Sequence, residues 1–259
     1  MALVISEVRE QIGTITFNNF AKRNALSRVF IDEILTALDD LLAKKTRVII
    51  LRAPEGAKVW SAGHDIKELE NPGRDPLNYD DPLENLIRAV QRCPAPVIAM
   101  IEGGVWGGAC ELVLVCDILI GTHTASFAIT PARIGVPYNS SGILHFMNTC
   151  SMATIKEMFF TAQPIKAERA ERLGILNHLV EPEDLETFTY NMAKQISLNS
   201  PLSISVIKEQ LHILGNALPL STETFERIQA LRRLAWDSED YVEGKKAFLE
   251  KRPPVFRGR

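Results

Sequence analysis

The chain has 259 residues, 46% of them hydrophobic and 24% charged, with a formal net charge of −3, the composition of a soluble globular protein long enough to bury a substantial core. The mild acidity argues against nucleic-acid binding, which calls for a basic patch, and the four cysteines (Cys93, Cys110, Cys116, Cys150) show no CxxC spacing for zinc or for a disulfide framework. The longest apolar run, Leu112 to Gly121, is broken by Asp117 and is too short to span a bilayer.

In chain order, "LVISEV" and "GTITFN" read as two strands with a turn at Glu10-Gln11. The N-terminal "MALVISEVREQIG" lacks the basic-then-apolar build of a signal peptide, and a cytoplasmic protein is expected. From Ser27, a plausible N-cap, Ile31, Ile34, Leu38 and Leu41 form one helical stripe. "RVIILRA" and "PVIAMIE" are continuous apolar strands of the kind covered on both faces, with a helix from Pro82 to Cys93 between them. Ala109 to Cys116 reads as a buried helix and "ILIGT" as a further strand; Cys110 and Cys116 are then inert core thiols. Beyond about residue 140 the pattern is nearly all helix. We place a β/α core with the active site at 1–200 and a helical region at 201–259, where Phe225, Ile228, Leu231, Leu234 and Trp236 spread over more than one face and suggest docking against another subunit.

Several common chemistries lack their motifs: GxxxxGK[ST], GxGxxG after a strand, HExxH and GxSxG are all missing. His123, His145, His178 and His212 have no metal-ligand companions at helical spacing and read as surface or core residues. His64-Asp65 has no third ligand nearby, so no metal site is expected. Two glycine segments remain, "SAGHDI" (Ser61 to Ile66) and "EGGVWGGACEL" (Glu102 to Leu112), each following a strand. The crevice beyond adjacent parallel strand ends is the usual ligand site of such a sheet. On spacing alone two readings stand: Gly107-Gly108 and the His64 region supply a pair of N–H donors to an oxyanion, or the glycines permit tight turns and close packing.

The ordered set "AKRNALS", "SAGHDI", "EGGVWGGACELVLVCDI", "ITPARIGVPYNSSG" and the closing "GKKAFLEKRPPVF" resembles the crotonase superfamily, the enoyl-CoA hydratase/isomerase group, over essentially the whole chain. The resemblance implies a ββα spiral core with a C-terminal helical oligomerisation region, in a homotrimer or homohexamer. It implies an acyl-CoA thioester as substrate, with no cofactor, metal, nucleic-acid or membrane partner. The thioester oxyanion would be held by the backbone N–H groups of His64 and Gly108, with Gly107 beside them. Arg23 would meet CoA phosphates, and Ala62, Asp65 and Ile66 would lie along the adenine and pantetheine. Lys251 would reach a neighbouring subunit's CoA, unless it is a solvated surface charge.

Departures from the family pattern narrow the chemistry. Hydratases of the family use two glutamates; the first matches Glu111 and the second falls on Pro131, which carries no proton. "GVPYN" presents Tyr138 from a turn stiffened by Pro137. With Thr130, "VWGGA", "AGHDI", "GRDPLNYDDPL" and "FERIQ", it resembles the decarboxylating branch of the family and implies conversion of methylmalonyl-CoA to propionyl-CoA. Tyr138 would then orient the departing carboxylate, with Thr130 as a weaker candidate. Trp106, Ile134 and Val136 would exclude water, and Tyr138, Glu111 or a bound water would supply the last proton. The alternatives are a hydratase or isomerase acting through Glu111 alone, and a non-catalytic binding protein of the same fold.

Overall fold

The computed structural model describes residues 2–69, 78–217, 219 and 221–259. Strand β1 (Val4–Arg9) pairs antiparallel with β2 (Ile12–Phe17). Glu10 and Gln11 between them take φ of 47° and 67°, the left-handed pair that a two-residue hairpin turn requires. Helix α1 (Arg28–Ala43) follows, with the expected stripe buried. Ser27 occupies its N-cap position without a side-chain bond; the Arg28 N–H instead donates to Glu68 Oε2 at 2.7 Å.

A repeating path comes next. Strands β3 (Val48–Arg52) and β4 (Val59–Ser61) precede helix α2 (Pro82–Arg92). Then β5 (Val97–Ile101) and β6 (Gly104–Trp106) precede α3 (Gly108–Leu114), and β7 (Ile118–Thr122) is followed by β8 (Ser126–Ala128). The longer strand of each pair joins one sheet, ordered β1-β2-β3-β5-β7-β10, and the shorter joins a second, ordered β4-β6-β8-β9. This is the expected spiral. Later elements are α4 (Ser140–Thr149), α5 (Met152–Thr161), β9 (Ile165–Lys166), α6 (Ala167–Arg172), β10 (His178–Val180), α7 (Leu185–Ser197), α8 (Pro201–Gly215), α9 (Thr222–Trp236) and α10 (Glu239–Leu249). Two edge strands, β9 and β10, thus lie in the stretch expected to be nearly all helix. Both are too short to show a period of two.

Strand side chains alternate between two cores. Ile49, Leu51, Val97 and Ala99 pack with α1, α2 and α3, whereas Val48, Ile50, Ile98 and Met100 pack against α7. Burial on both faces explains the uninterrupted apolar runs. The C-terminal helices divide in behaviour. On α8 and α9, Leu202, Leu211, Leu214, Phe225, Leu231 and Leu234 are exposed. Trp236 and Tyr241, stacked edge-on at 4.8 Å, instead join Leu69 and Val136 in a small core. Gly244 of α10 lets the helix backbone rest on Ile134. No described helix is long and apolar enough to cross a membrane.

Candidate active site

The small sheet brings the two glycine segments together. β4 pairs parallel with β6, so the chain leaving each strand, at Ala62–His64 and at Gly107-Gly108, emerges side by side. The first segment is tied down by the Asn24–Leu26 turn. Ser61 Oγ donates to the Asn24 carbonyl at 2.7 Å, Asn24 Nδ2 to the Trp60 carbonyl at 3.0 Å, and Leu26 N–H to the Gly63 carbonyl at 2.8 Å. Gly63 has φ +81°, and any Cβ there would be driven into the Trp106 carbonyl. Gly107 sits at φ 54°, ψ −124°, a region reserved for glycine, and its N–H is spent on the Ala128 carbonyl at 2.8 Å. The N–H groups of His64 and Gly108 converge: a Cβ on Gly108 would stand 3.7 Å from His64 N. Neither finds an acceptor among the described residues. Two free, adjacent, rigidly held amides are what an oxyanion requires.

A cleft opens over them. His64, Gly107, Gly108, Glu111, Thr130, Pro131 and Tyr138, of the residues singled out from the sequence, line this cleft together with Ala62 and Ile66. Ile134 and Val136 line it as expected; Trp106 does not. Its indole folds back over Gly104, where a Cβ would overlap the ring, so it is removed from the water-excluding wall. Asp65 also points elsewhere, capping the turn at Ile66–Glu68 by accepting the Lys67 N–H at 3.1 Å and facing Lys22 at 3.7 Å. Arg23 is exposed and does not line the cleft, although its carbonyl accepts the Ala62 N–H at 3.0 Å. Lys251 is exposed beyond α10, outside the cleft.

The imidazole of His64 turns away from the amide pair. Nδ1 meets the Asp65 carbonyl at 3.1 Å, and Nε2 lies 3.6 Å from Asp81 Oδ2. Burial pulls its pKa down, but Asp81, the Asp65 carbonyl and Glu68 outweigh this and raise it above the ordinary value. Asp81 also caps α2, accepting the Leu83 N–H at 2.8 Å.

The opposite wall is made of side chains. Tyr138 packs edge-on against Phe146 and Phe159, at 6.0 and 5.0 Å between ring centres. Its hydroxyl is buried and makes no well-formed hydrogen bond. Burial first, and the nearby Glu111 charge second, raise its pKa well above that of a free phenol, so it stays a neutral phenol. Glu111 is buried, and its Oε1 meets His145 Nδ1 at 3.0 Å. Gln91 Nε2 donates to His145 Nε2 at 2.7 Å, leaving the Nδ1 hydrogen for Glu111. His145, unpartnered by spacing, is thus a core residue backing the site.

Glu84, which carried no signal in the sequence, is the surprise of this wall. It is 5% exposed, lines the cleft beside Glu111, and is held by the Asn139 amide and by the Ser141 hydroxyl at 3.2 Å. The expectation of a single pocket carboxylate is therefore corrected: Pro131 stands where the family's second glutamate falls, but α2 supplies another carboxylate. Only the run "DDPLE", placing an acidic residue on the first turn of an amphipathic helix, could have hinted at it. The part of "GRDPLNYDDPL" before Asn78 lies outside the described residues. All four cysteines are buried, and burial pushes the thiols of Cys110 and Cys116 far up, as befits inert core groups.

Known proteins share this sequence pattern and fold. The family model described as enoyl-CoA hydratase/isomerase matches residues 7–259. Methylmalonyl-CoA decarboxylase of Escherichia coli (strain K12) is 53% identical over 248 residues, covering 96% of this chain and 95% of its own. A solved structure of methylmalonyl-CoA decarboxylase in complex with 2-nitronate-propionyl-CoA superposes with a TM-score of 0.98 at 51% identity, covering 100% of this chain and 99% of that one. The short-chain-enoyl-CoA hydratase of Clostridium acetobutylicum is more distant, 27% identical over 96% of this chain and 95% of its own. The spiral of paired strands, the two glycine segments at their ends and these matches over the full length lead to one conclusion: the chain belongs to the enoyl-CoA hydratase/isomerase family, the crotonase superfamily.

Proposed function

We propose that this chain decarboxylates methylmalonyl-CoA to propionyl-CoA through a thioester enolate. The observation that carries the reading is the pair of unpartnered N–H groups of His64 and Gly108 at the floor of a cleft whose opposite wall holds the buried Tyr138 hydroxyl beside Glu111. It is supported by the 53% identity with a protein of that activity. When CO2 leaves, the electrons of the C–C bond pass into the thioester and charge gathers on its oxygen. The two amides meet that charge as it develops, and donors of this kind are each worth about 10²–10³-fold in rate. No base is needed to start the reaction. The departing carboxylate must stand perpendicular to the thioester plane, and the Tyr138 hydroxyl holds it there, with Thr130 Oγ1 as a secondary contact. Ile134 and Val136 keep water off the carboxylate. At the mouth, Ala62 and Ile66 lie along the pantetheine arm, Asp65 and Arg23 stand outside the cleft toward the nucleotide, and Lys251 reaches toward a neighbouring subunit's CoA.

The apolar faces of α8 and α9 pack between subunits of a trimer or a dimer of trimers. Sedimentation at micromolar concentration tests this assembly, and a monomer contradicts it.

Two carboxylates in one cleft, Glu84 and Glu111, favour enoyl-CoA hydration as the second reading. The discriminating experiment offers methylmalonyl-CoA and crotonyl-CoA to the same preparation and follows CO2 release and enoyl absorbance separately. Faster CO2 release is expected; faster hydration reverses the assignment.

A further inference from the structure

We infer that Glu84 is the acid that protonates the enolate, recharged through Ser141 from a second cleft on the far side of the cavity wall. The inference rests on the decarboxylase reading, which creates the need. Once CO2 has gone, C2 of the enolate must take up one proton to become propionyl-CoA.

Position comes first. The opening turn of α2 faces the oxyanion donors. Leu83 Cδ2 lies 2.6 Å from where a Cβ on Gly108 would stand, and Asp81 braces the His64 ring. Glu84 follows on the same turn and lines the same cleft. Its orientation is set by Asn139, whose Oδ1 accepts the Gly142 N–H at 2.9 Å, so that Nδ2 points at Glu84 Oε1 and donates. Ser141 Oγ donates to the other oxygen, Oε2, at 3.2 Å, so Oε2 is the oxygen that Ser141 can recharge.

The second cleft supplies the route for recharging. Glu84 and Asn139 line both cavities, whereas Ser141 lines only the outer one, where it is exposed beside Arg88, Gln91 and Glu226. A hydroxyl donates and accepts at once, so Ser141 can pass a solvent proton to Oε2 while acyl-CoA still fills the inner cleft.

The electrostatics agree. Burial, and then the charge of Glu111, push the Glu84 carboxyl up to about 7; Asp81 adds to this, while the Ser141 hydrogen bond and Arg88 oppose it. Arg232 and Arg233 stand across the outer cleft, and His145, which meets Glu111, lines that cleft as well. A carboxyl half protonated near neutral pH is matched to acid catalysis. In balance, the enolate electron pair forms the C2–H bond as the carboxyl O–H bond breaks, and the thioester C=O is restored. The resulting carboxylate takes a proton from Ser141, which takes one from water. The net consumption is one solvent proton for each CO2 released.

Rapid mixing with methylmalonyl-CoA, with CO2 and propionyl-CoA followed separately, tests this. In Glu84→Gln we expect a burst of one CO2 per active site at near the wild-type rate. Steady turnover then falls about a hundredfold, the scale of general acid catalysis. Wild-type steady turnover declines as pH rises past about 7, and the variant lacks that limb. Glu84→Asp keeps a carboxyl and recovers part of the steady rate, and it carries the same burst test if the Gln variant does not fold. Wild-type turnover in Glu84→Gln overturns the role of Glu84, as does loss of burst and steady rate together in a folded variant. A wild-type protein that releases no CO2 overturns the decarboxylase reading itself.

Discussion

The two walls of the cleft are built by different means. The side we propose to hold the oxyanion is backbone: two amides, fixed by strand pairing between β4 and β6 and by glycines at φ values other residues resist. The carboxylate side is side chain: Tyr138, Glu84 and Glu111 reach in from the Val136–Asn139 turn and from two helices, and each depends on a neighbour for its orientation. Backbone donors cannot be exchanged by substitution, so the first wall suits the oxyanion role proposed for it. The second wall can be rewritten residue by residue, and there the reaction is chosen.

That contrast can be broken most severely at Gly63. Alanine there must relieve its clash with the Trp106 carbonyl by moving the loop that carries the His64 N–H. Turnover should fall by about a hundredfold or more, with stability reduced by roughly 1–3 kcal/mol for the strained backbone. Turnover and thermal melting measured together check this; near-normal turnover shows that the His64 amide is not a donor.

A smaller effect separates the walls by pH. Glu84 has a folded pKa of about 7 against an ordinary 4.5, so the folded state holds the extra proton. Its contribution to stability is complete below the ordinary value and is lost as pH rises through the folded one. Wild type should therefore lose on the order of 1–3 kcal/mol across this window relative to Glu84→Gln. Chemical denaturation of both proteins at several pH values reads it directly; parallel pH profiles exclude a buried, proton-holding Glu84.

Legibility in the sequence followed the same division. Strands β3 and β5 announce themselves as apolar runs, and α1 by its stripe, because burial imposes a period on the residues. Gly63 and Gly107 were readable as close-approach positions, although spacing alone left packing as an equal explanation. The short strands β4, β6 and β8 carry no periodic signal, yet they bring the glycine segments together. On the second wall, Tyr138 was visible through the stiffness of the Pro137 turn and through the resemblance of "GVPYN" to the decarboxylating branch. Glu84, His145 and Gln91 were invisible, since their meeting depends on how α2, α3 and α4 pack. Trp106 shows the converse: a large residue between two glycine pairs invites a role in the cleft, and its rotamer takes it away.

The division of labour between amides and side chains is tested most directly by Tyr138→Phe, which keeps the ring packing and deletes one hydrogen bond to the departing carboxylate. Such bonds to charged groups are worth about 1.5–3 kcal/mol, so methylmalonyl-CoA turnover should slow by roughly ten- to a hundredfold. Affinity for propionyl-CoA, which has no carboxylate to orient, should stay within about twofold by the same reasoning. Unchanged turnover in the folded variant, or an equal loss of propionyl-CoA affinity, would contradict the account.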